Sequence, residues 1–166
     1  MAFSDEYFML AAIEMAQYAR DKGEYPFGAV LVYNAQIVHK SYDRSIELCD
    51  PTFHAELALI SEYCRSNHKL NLQGYSLYSS AEPCVMCSGS IKWSHISKVI
   101  FSVSQSMLQQ MSGGRTKPSC DSILNTGQKK IEVIGPFISD EGLKVFDGYT
   151  FISKNDRIKF SESDLT

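Results

Sequence analysis

The sequence contains no long apolar run and no excess of basic residues. Its longest apolar stretches, such as residues 27–33, fall far short of the ~18 residues that a membrane-spanning helix requires. With 16 Lys and Arg against 19 Asp and Glu, the net charge is −3, so the chain has no general attraction for nucleic-acid phosphates or for an anionic membrane. Asp5 and Glu6 stand where a secretory signal carries positive charge, and we predict no signal peptide.

The chain also lacks an even set of cysteines, because it has five. Without a predicted signal, an odd set of cysteines indicates a reducing, cytoplasmic compartment, where thiols persist and disulfides are rare. We therefore expect the cysteines to be free thiols or metal ligands.

Repeats, low-complexity tracts and long linkers are missing as well, which favours one domain over residues 1–166. The hydrophobic fraction of 44% and the charged fraction of 21% exclude wholesale disorder. A chain of this length buries a sufficient core without a structural metal. A metal site found here is therefore free to be catalytic.

The pattern of apolar residues predicts an α/β layered domain with a mixed sheet. Helical spacing indicates an amphipathic helix over 5–22, with Tyr18 in its apolar stripe, Ser4 as its cap and Gly23 at its end. Residues 27–33 read as a central buried strand, joined by a tight turn at 34–35 to a second strand over 36–42. We further expect helices from Asp50-Pro51 to about Asn67, over 83–93, over 104–111 and from about Ser139, strands over 75–79, 98–103 and 131–134, a loop over 112–130, and an ill-defined tail.

Three residues form a candidate metal site. Cys84 and Cys87 are three positions apart at a predicted helix start, so their side chains share one face. A helix N-terminus lowers the pKa of a thiol and favours the thiolate that binds metal. With His54 they make a ligand set typical of zinc, and three protein ligands leave the fourth tetrahedral position open, as in catalytic sites.

Glu56 is the candidate proton carrier beside that metal. At the first turn of a helix, His54 and Glu56 are both able to reach over the helix end, so the sequence predicts two helix N-termini aimed at one ion. The backbone amides of Ala55 and Cys84 would add donors for a developing oxyanion. His-x-Glu followed by Pro-Cys-x-x-Cys is the signature of zinc-dependent nucleobase deaminases, in which the zinc activates a water and the glutamate is not a ligand.

The segment from Pro26 to about Phe101 resembles the cytidine-deaminase-like superfamily. Within it, the chain is most similar to the guanine deaminase and tRNA adenosine deaminase branch, and closer to guanine deaminase. The matching stretches are Pro-Phe-Gly-Ala-Val at 26–30, Asp-Pro-Thr-Phe-His-Ala-Glu at 50–56 and Glu-Pro-Cys-Val-Met-Cys at 82–87. The resemblance implies a three-layer α/β/α sandwich around a mixed five-stranded sheet, a homodimer, zinc on His54, Cys84 and Cys87, and proton transfer by Glu56.

Two other interpretations of the candidate metal site stay open at this point. Cys84 and Cys87 would also suit a thioredoxin-like redox pair, although that leaves His54 and Glu56 without a role. The zinc would be structural, in a non-catalytic zinc-binding module, if a fourth side chain completed its coordination. The candidates for that fourth ligand are Cys49, Cys64, Cys120 and His68, of which Cys64 lies in an apolar helix stripe and reads as a core thiol. For His39, His68 and His95 we expect surface or packing roles.

Several features favour a free purine base over tRNA as the substrate. The tail over 154–166 has no basic excess with which to follow phosphates. Phe27 and Trp93 stand where guanine deaminases carry the same residues, and an aromatic face near the pocket suits stacking on a purine. Trp93 would equally serve by packing the back of its helix. Against this, the predicted loop carries Arg115, Lys117, Lys129 and Lys130 against Asp121, and Cys-Val-Met-Cys-Ser-Gly at 84–89 resembles the tRNA branch.

Asp43 departs from the family pattern. Both sub-branches usually have an asparagine at this position, which hydrogen-bonds the purine ring. An amide both donates and accepts, whereas an ionised carboxylate only accepts. Asp43 therefore predicts a substrate that presents N–H or NH₂ at this point, such as a purine or a related heterocycle.

Overall fold

The computed structural model describes residues 4–114 and 117–151. Within these residues, the chain forms five strands and six helices. In chain order they are α1 (Asp5–Asp21), β1 (Gly28–Tyr33), β2 (Gln36–Tyr42), α2 (Ala55–Asn67), β3 (Ser76–Ala81), α3 (Val85–Trp93), β4 (Lys98–Val103), α4 (Gln105–Ser112), α5 (Cys120–Leu124), β5 (Glu132–Ile134) and α6 (Ser139–Lys144).

The strands form one mixed sheet in the order β2-β1-β3-β4-β5. β1 pairs antiparallel with both β2 and β3, whereas β3, β4 and β5 run parallel. Asn34 and Ala35, with φ of 50° and 56°, both adopt the left-handed conformation that a two-residue hairpin turn requires. The predicted hairpin and the central, buried position of the first strand are confirmed.

Helices cover both faces of the sheet, each over its own apolar cluster. Side chains alternate across a strand, so that Leu31 and Leu77 face one cluster while Val30 and Tyr78 face the other. α2, α3 and α5 pack on the first cluster, and α1 and the segment after α6 pack on the second. The predicted three-layer α/β/α sandwich with a mixed five-stranded sheet is confirmed.

Helix α1 lies directly on strand β1. A Cβ atom added at Gly28 would stand 2.4 Å from the backbone nitrogen of Ala16, so glycine is required for this close packing. Ser4 caps the helix by accepting from the amide of Tyr7, and Gly23, with φ of 84°, ends it, as predicted. The prediction that Tyr18 belongs to the buried apolar stripe of α1 is wrong, because this residue is 44% exposed.

The start of α2 and the presence of α5 differ from the sequence prediction. Helix α2 begins at Ala55 and not at Pro51, because Asp50 instead accepts the amide of Thr52 at 2.8 Å in a separate turn. The predicted loop over 112–130 contains helix α5, which Ser119 caps locally. The Cys120 amide donates to Glu82, 38 positions earlier, at 2.8 Å. A partner so distant in sequence leaves no local pattern from which the helix could have been predicted.

Some predicted features fall outside the described residues. Arg115 of the basic loop and the tail over 154–166 belong to this group. In the part of the chain that the structure covers, no helix is both long and apolar enough to cross a membrane.

Candidate active site

The site lies where helices α2 and α3 begin, at the carboxyl end of strand β3. His54 is the N-cap residue of α2 and Cys84 is the N-cap residue of α3. Both adopt an extended backbone, and neither side chain makes a capping hydrogen bond to its own helix. Their side chains therefore remain available to a ligand that sits between the two helix starts.

The three predicted ligands meet at one point. His54 Nδ1 lies 3.6 Å from Cys84 Sγ and 3.8 Å from Cys87 Sγ. In a tetrahedral site with Zn–N of about 2.0–2.1 Å and Zn–S of about 2.3 Å, nitrogen and sulfur stand about 3.5 Å apart. The spacing of the donor atoms and their chemistry therefore both fit zinc.

The pKa values of the Cys84 and Cys87 thiols are shifted in opposite directions. The hydrogen bond from the Cys87 thiol, with a further contribution from His54, lowers the pKa of Cys84 to about 3. The same bond between the thiols, together with burial, raises the pKa of Cys87. The lowered pKa of Cys84 favours its thiolate, which is the form of cysteine that ligates metals.

No fourth ligand joins these three among residues 4–114 and 117–151. Cys49 is exposed, and Cys64, a residue of α2, packs against the first apolar cluster. Cys120 is buried at the start of α5, and His68 ends α2 in a left-handed conformation. The arrangement therefore matches the three-ligand pattern of catalytic zinc sites and gives no support to a structural site with four protein ligands.

Glu56 lies beside the three candidate metal ligands, and its side chain is buried. Only 6% of the residue is exposed, and burial raises the pKa of its carboxyl group. Ser79 Oγ, on strand β3, donates to Glu56 Oε1 at 3.0 Å. A buried carboxyl group of raised pKa, held in place by one hydroxyl, is suited to take up and release a proton.

Asp43 reaches the same site from the end of strand β2. Its residue is 1% exposed and its amide donates to the carbonyl of Phe27 at 3.0 Å. Oδ1 accepts the amide of Ser45 at 2.9 Å, whereas the buried Oδ2 has no hydrogen-bond partner in the described structure. Burial raises the pKa of Asp43, and its carboxylate lies close enough to His54 for their charges to interact.

Phe27 and Ala55 also stand near these residues. Phe27 is half-buried between the two apolar clusters, with its ring 6.0 Å from that of Phe146. Ala55 is fully buried as the first residue of α2, where a helix amide has no partner within its own helix. Ala55 thus follows His54 directly, and Phe27 is tied to Asp43 through the hydrogen bond from the Asp43 amide to its carbonyl.

Trp93 is not brought to this site within the chain. It is the last residue of α3, whose nine residues carry it about 13 Å from the helix start. Its side chain is 87% exposed and lines a separate cleft. His95 is exposed on the same cleft, while His39 bonds to Glu62 at 3.0 Å, so the histidines outside the site have the surface and packing roles that we expected.

Two buried glutamates that the sequence did not reveal hold the loops around the site. Glu24 accepts the amides of Ile46 and Glu47 at 2.9 and 2.7 Å, which fixes the segment after Asp43. Glu82 accepts the amides of Gln105 and Cys120, both at 2.8 Å, just before the cysteine ligands. Their only sequence signal is an acidic residue close to a proline.

Arg44, between Asp43 and His54 in the chain, also stabilises the loop that joins these two predicted site residues. Its guanidinium lies 4.7 Å from the ring centre of Phe53, pairs with Glu62, and its amide donates to the Phe53 carbonyl at 3.2 Å. Because Phe53 precedes His54, these contacts connect the position of Asp43 to that of the metal ligand.

Comparison with known families agrees with this geometry. The protein-family model described as the cytidine and deoxycytidylate deaminase zinc-binding region matches residues 3–103 of this chain. The matched segment is more than half of the chain, and it contains all three candidate ligands and Glu56.

Individual relatives show how far the likeness extends. A tRNA-specific adenosine deaminase of Aquifex aeolicus is 45% identical over 97 residues, which cover 58% of this chain and 64% of that protein. A protein of Schizosaccharomyces pombe named as a probable cytosine deaminase is 34% identical over 147 residues, covering 86% and 90%. The guanine deaminase of Nitrosomonas europaea has the same fold, with a TM-score of 0.77, 18% identity, and coverage of 88% of this chain and 84% of that one.

Proposed function

The chain belongs to the cytidine and deoxycytidylate deaminase zinc-binding family, and on this premise we propose that it deaminates a free nucleobase, a purine of the guanine type. It is a zinc-binding hydrolase that acts on carbon–nitrogen bonds. The observation that carries the proposal is the meeting of His54, Cys84 and Cys87 beside the enclosed carboxyl group of Glu56.

His54, Cys84 and Cys87 would hold the zinc. When bound in such a site, zinc lowers the pKa of a water from about 15.7 to ~7 and so supplies a nucleophile at neutral pH. Glu56 would accept a proton from that water and give it to the ring nitrogen next to the amino-bearing carbon. It would then carry the second proton to the amino group, which leaves as ammonia while the ring gains a carbonyl.

Two backbone amides would assist at the reacting carbon. Those of Ala55 and Cys84 lie at the starts of α2 and α3, where amides lack a partner within the helix. Such donors stabilise negative charge that develops on oxygen in the transition state.

Asp43 would select the base by accepting a hydrogen bond from a donor on the edge of its ring. Its Oδ2 is buried without a partner close to His54, and an unpaired buried acceptor is costly unless a ligand supplies a donor. A carboxylate there favours a ring that presents N–H or NH₂, which guanine does at N1 and at its 2-amino group. Phe27 would pack against the ring from the apolar side.

The extent of the similarity and the net charge both bear on the size of the substrate. The likeness to the tRNA-specific relative covers 58% of the chain, the part that contains the zinc site, whereas the likeness to the relative named for cytosine covers 86%. The net charge of −3 also gives no general attraction for RNA. Against the first observation, the structure of a tRNA:A34 deaminase matches 84% of this chain and 99% of its own at 27% identity, with a TM-score of 0.72. The net charge is therefore the observation that favours a free base.

A direct test is ammonia release by the zinc-loaded protein from guanine, adenine, cytosine, their nucleosides and an anticodon stem-loop. We expect guanine to be the fastest substrate. If Asp43 reads the base, Asp43→Asn should change the order of these substrates. An unchanged order would show that Asp43 has no part in selection, and turnover of the stem-loop alone would contradict the free-base proposal.

The second candidate is a tRNA-specific adenosine deaminase. The specific observation in its favour is the 45% identity with the Aquifex aeolicus enzyme through the zinc site. This activity would show salt-sensitive RNA binding and turnover of the stem-loop but not of free bases.

We also propose that the protein is a cytoplasmic homodimer. All five cysteines are free, which suits a reducing compartment. The apolar side chains of Val85, which follows Cys84, and of Leu48, in the loop after Asp43, are 54% and 45% exposed, and a second copy would cover them. Light scattering should give twice the mass of the chain, and a monomer at micromolar concentration would contradict the dimer.

A further inference from the structure

A second cavity lies at the opposite end of the sheet from the zinc site. Its lining comes from residues that precede the parallel strands, whereas the cysteine ligands follow one of them: Leu70 lies before β3, Ile96 before β4 and Ile131 before β5. The cavity measures about 560 Å³, within the ~300–1,000 Å³ typical of small-molecule sites. We call it the Trp93 cleft.

The apolar lining of the Trp93 cleft is unusually exposed at its rim. Trp93 and Leu70 are 87% and 90% exposed, while Ile96 and Ile131 are buried and form the floor. Large apolar side chains exposed together around a concave surface mark a site for a ligand or a partner. An indole at the rim offers a flat face on which a planar ring stacks.

The ionisable residues of the cleft are all basic. Lys92, His95 and Lys129 line it together with four apolar residues, and no acidic side chain does. Lys92 is already bound to the carbonyl and hydroxyl of Thr126. Lys129 is exposed and makes no ion pair within residues 4–114 and 117–151, so it is available to an anion.

We propose that the Trp93 cleft binds a nucleoside monophosphate, with the base stacked on Trp93 and the phosphate held by Lys129. A planar heterocycle uses the indole and the apolar floor, and a phosphate uses the cation that has no partner in the fold. This site is separate from the zinc site and does not depend on which base is deaminated there.

Other occupants fit the cleft less well. A second copy placed by a two-fold axis meets its own surface, so a patch with cations and no acids would face like charge. An RNA strand needs a continuous series of phosphate contacts. Here Lys92, on the same cleft, and Lys130, next to Lys129 in the chain, already donate to the carbonyls of Thr126 and Asn125, and the whole chain carries a net charge of −3. The cleft therefore suits one phosphate on one planar ring.

Trp93 itself provides the test, because it is the only tryptophan in the chain. The zinc-loaded protein is titrated with GMP, guanosine, inorganic phosphate and an anticodon stem-loop while tryptophan emission is recorded. GMP and guanosine carry the same base and absorb alike, so optical filtering affects both titrations equally and a difference between them reports binding. We expect saturable quenching by GMP, at least tenfold weaker binding of guanosine, and no quenching by phosphate alone.

Lys129→Gln tests the phosphate contact, and Lys144→Gln is its matched control. Lys144 is exposed on α6 and pairs with Glu141, so its loss changes the net charge equally at another surface. We expect GMP binding to weaken at least tenfold in the first variant and to stay unchanged in the second. Calorimetry with Trp93→Leu, which removes the probe and the stacking face, should show the same loss of GMP binding.

Three outcomes would overturn the proposal. Equal binding of GMP and guanosine would mean that the cleft does not recognise phosphate. Quenching by the stem-loop alone would assign the face to RNA. A shift of the emission with protein concentration, before any nucleotide is added, would assign it to a second copy of the chain.

Discussion

Helices α2 and α3 run side by side from the zinc site to the Trp93 cleft, and their two ends differ sharply. At the N-terminal end, the polar residues Asp43 and Glu56 are almost fully buried. At the C-terminal end, Leu70 and Trp93 are almost fully exposed. The same pair of helices thus presents a closed, polar site at one end and an open, apolar one at the other.

This difference follows from the direction of the helices. Their N-termini carry unpaired amides and a partial positive charge, which favour thiolates and developing oxyanions. Their C-termini carry carbonyls and a partial negative charge, so that an anion bound there must be held by side chains such as Lys129. One end is therefore built from backbone and buried ligands, and the other depends on surface residues.

Removal of zinc should have the largest effect and should separate the two ends. We expect the chelated protein to lose deaminase activity by about a hundredfold or more, because the nucleophile is lost, and to regain it when zinc returns. Circular dichroism and the emission of Trp93 should stay unchanged, since a core of this size does not require the metal. A large loss of helix on chelation would show that zinc holds the fold.

Glu56→Gln should lower kcat by about 10³-fold, because the side chain keeps its shape but no longer transfers protons. The zinc content, measured on the purified variant, should equal that of the wild type. Glu141→Gln, an exposed change on α6, is the control and should leave kcat unaltered. Substantial turnover by the Glu56 variant would remove its assigned role.

Ser79→Ala should lower kcat by about tenfold, the cost of losing one hydrogen bond of about 1.4 kcal/mol to the Glu56 carboxyl group. The zinc content and KM should change little, since Ser79 positions Glu56 and does not touch the metal ligands. Ser79→Thr, which retains a hydroxyl, should recover part of the rate. A change in KM with kcat intact would place Ser79 at the base instead.

Leu70→Ala should have the smallest effect, because the side chain is 90% exposed. We expect the free energy of unfolding to change by no more than ~0.5 kcal/mol and deaminase activity to be unaltered. Leu59→Ala, on the buried face of α2, is the contrasting variant and should cost about 2–5 kcal/mol. Chemical denaturation of both variants measures the difference, and a marked destabilisation by Leu70→Ala would mean that the cleft is closed in solution.

Much of the fold follows from local patterns. The hairpin at Asn34 and Ala35, the buried strand before it and the capped helix α1 each rest on neighbouring residues, and each was predictable. Helix α5 was not, since its first amide is held by Glu82, 38 positions earlier in the chain. The start of α2 was displaced because Asp50 caps a turn of its own.

The sequence by itself determined the zinc ligands and their neighbour Glu56, because residue types at short spacings and at helix starts define that chemistry. Only the tertiary structure showed that Ser79 holds Glu56, that Oδ2 of Asp43 is buried without a partner, and that Trp93 faces away from the zinc site. These facts depend on contacts between distant segments and on which side of the sheet each loop emerges. Neither is encoded in the spacing of neighbouring residues.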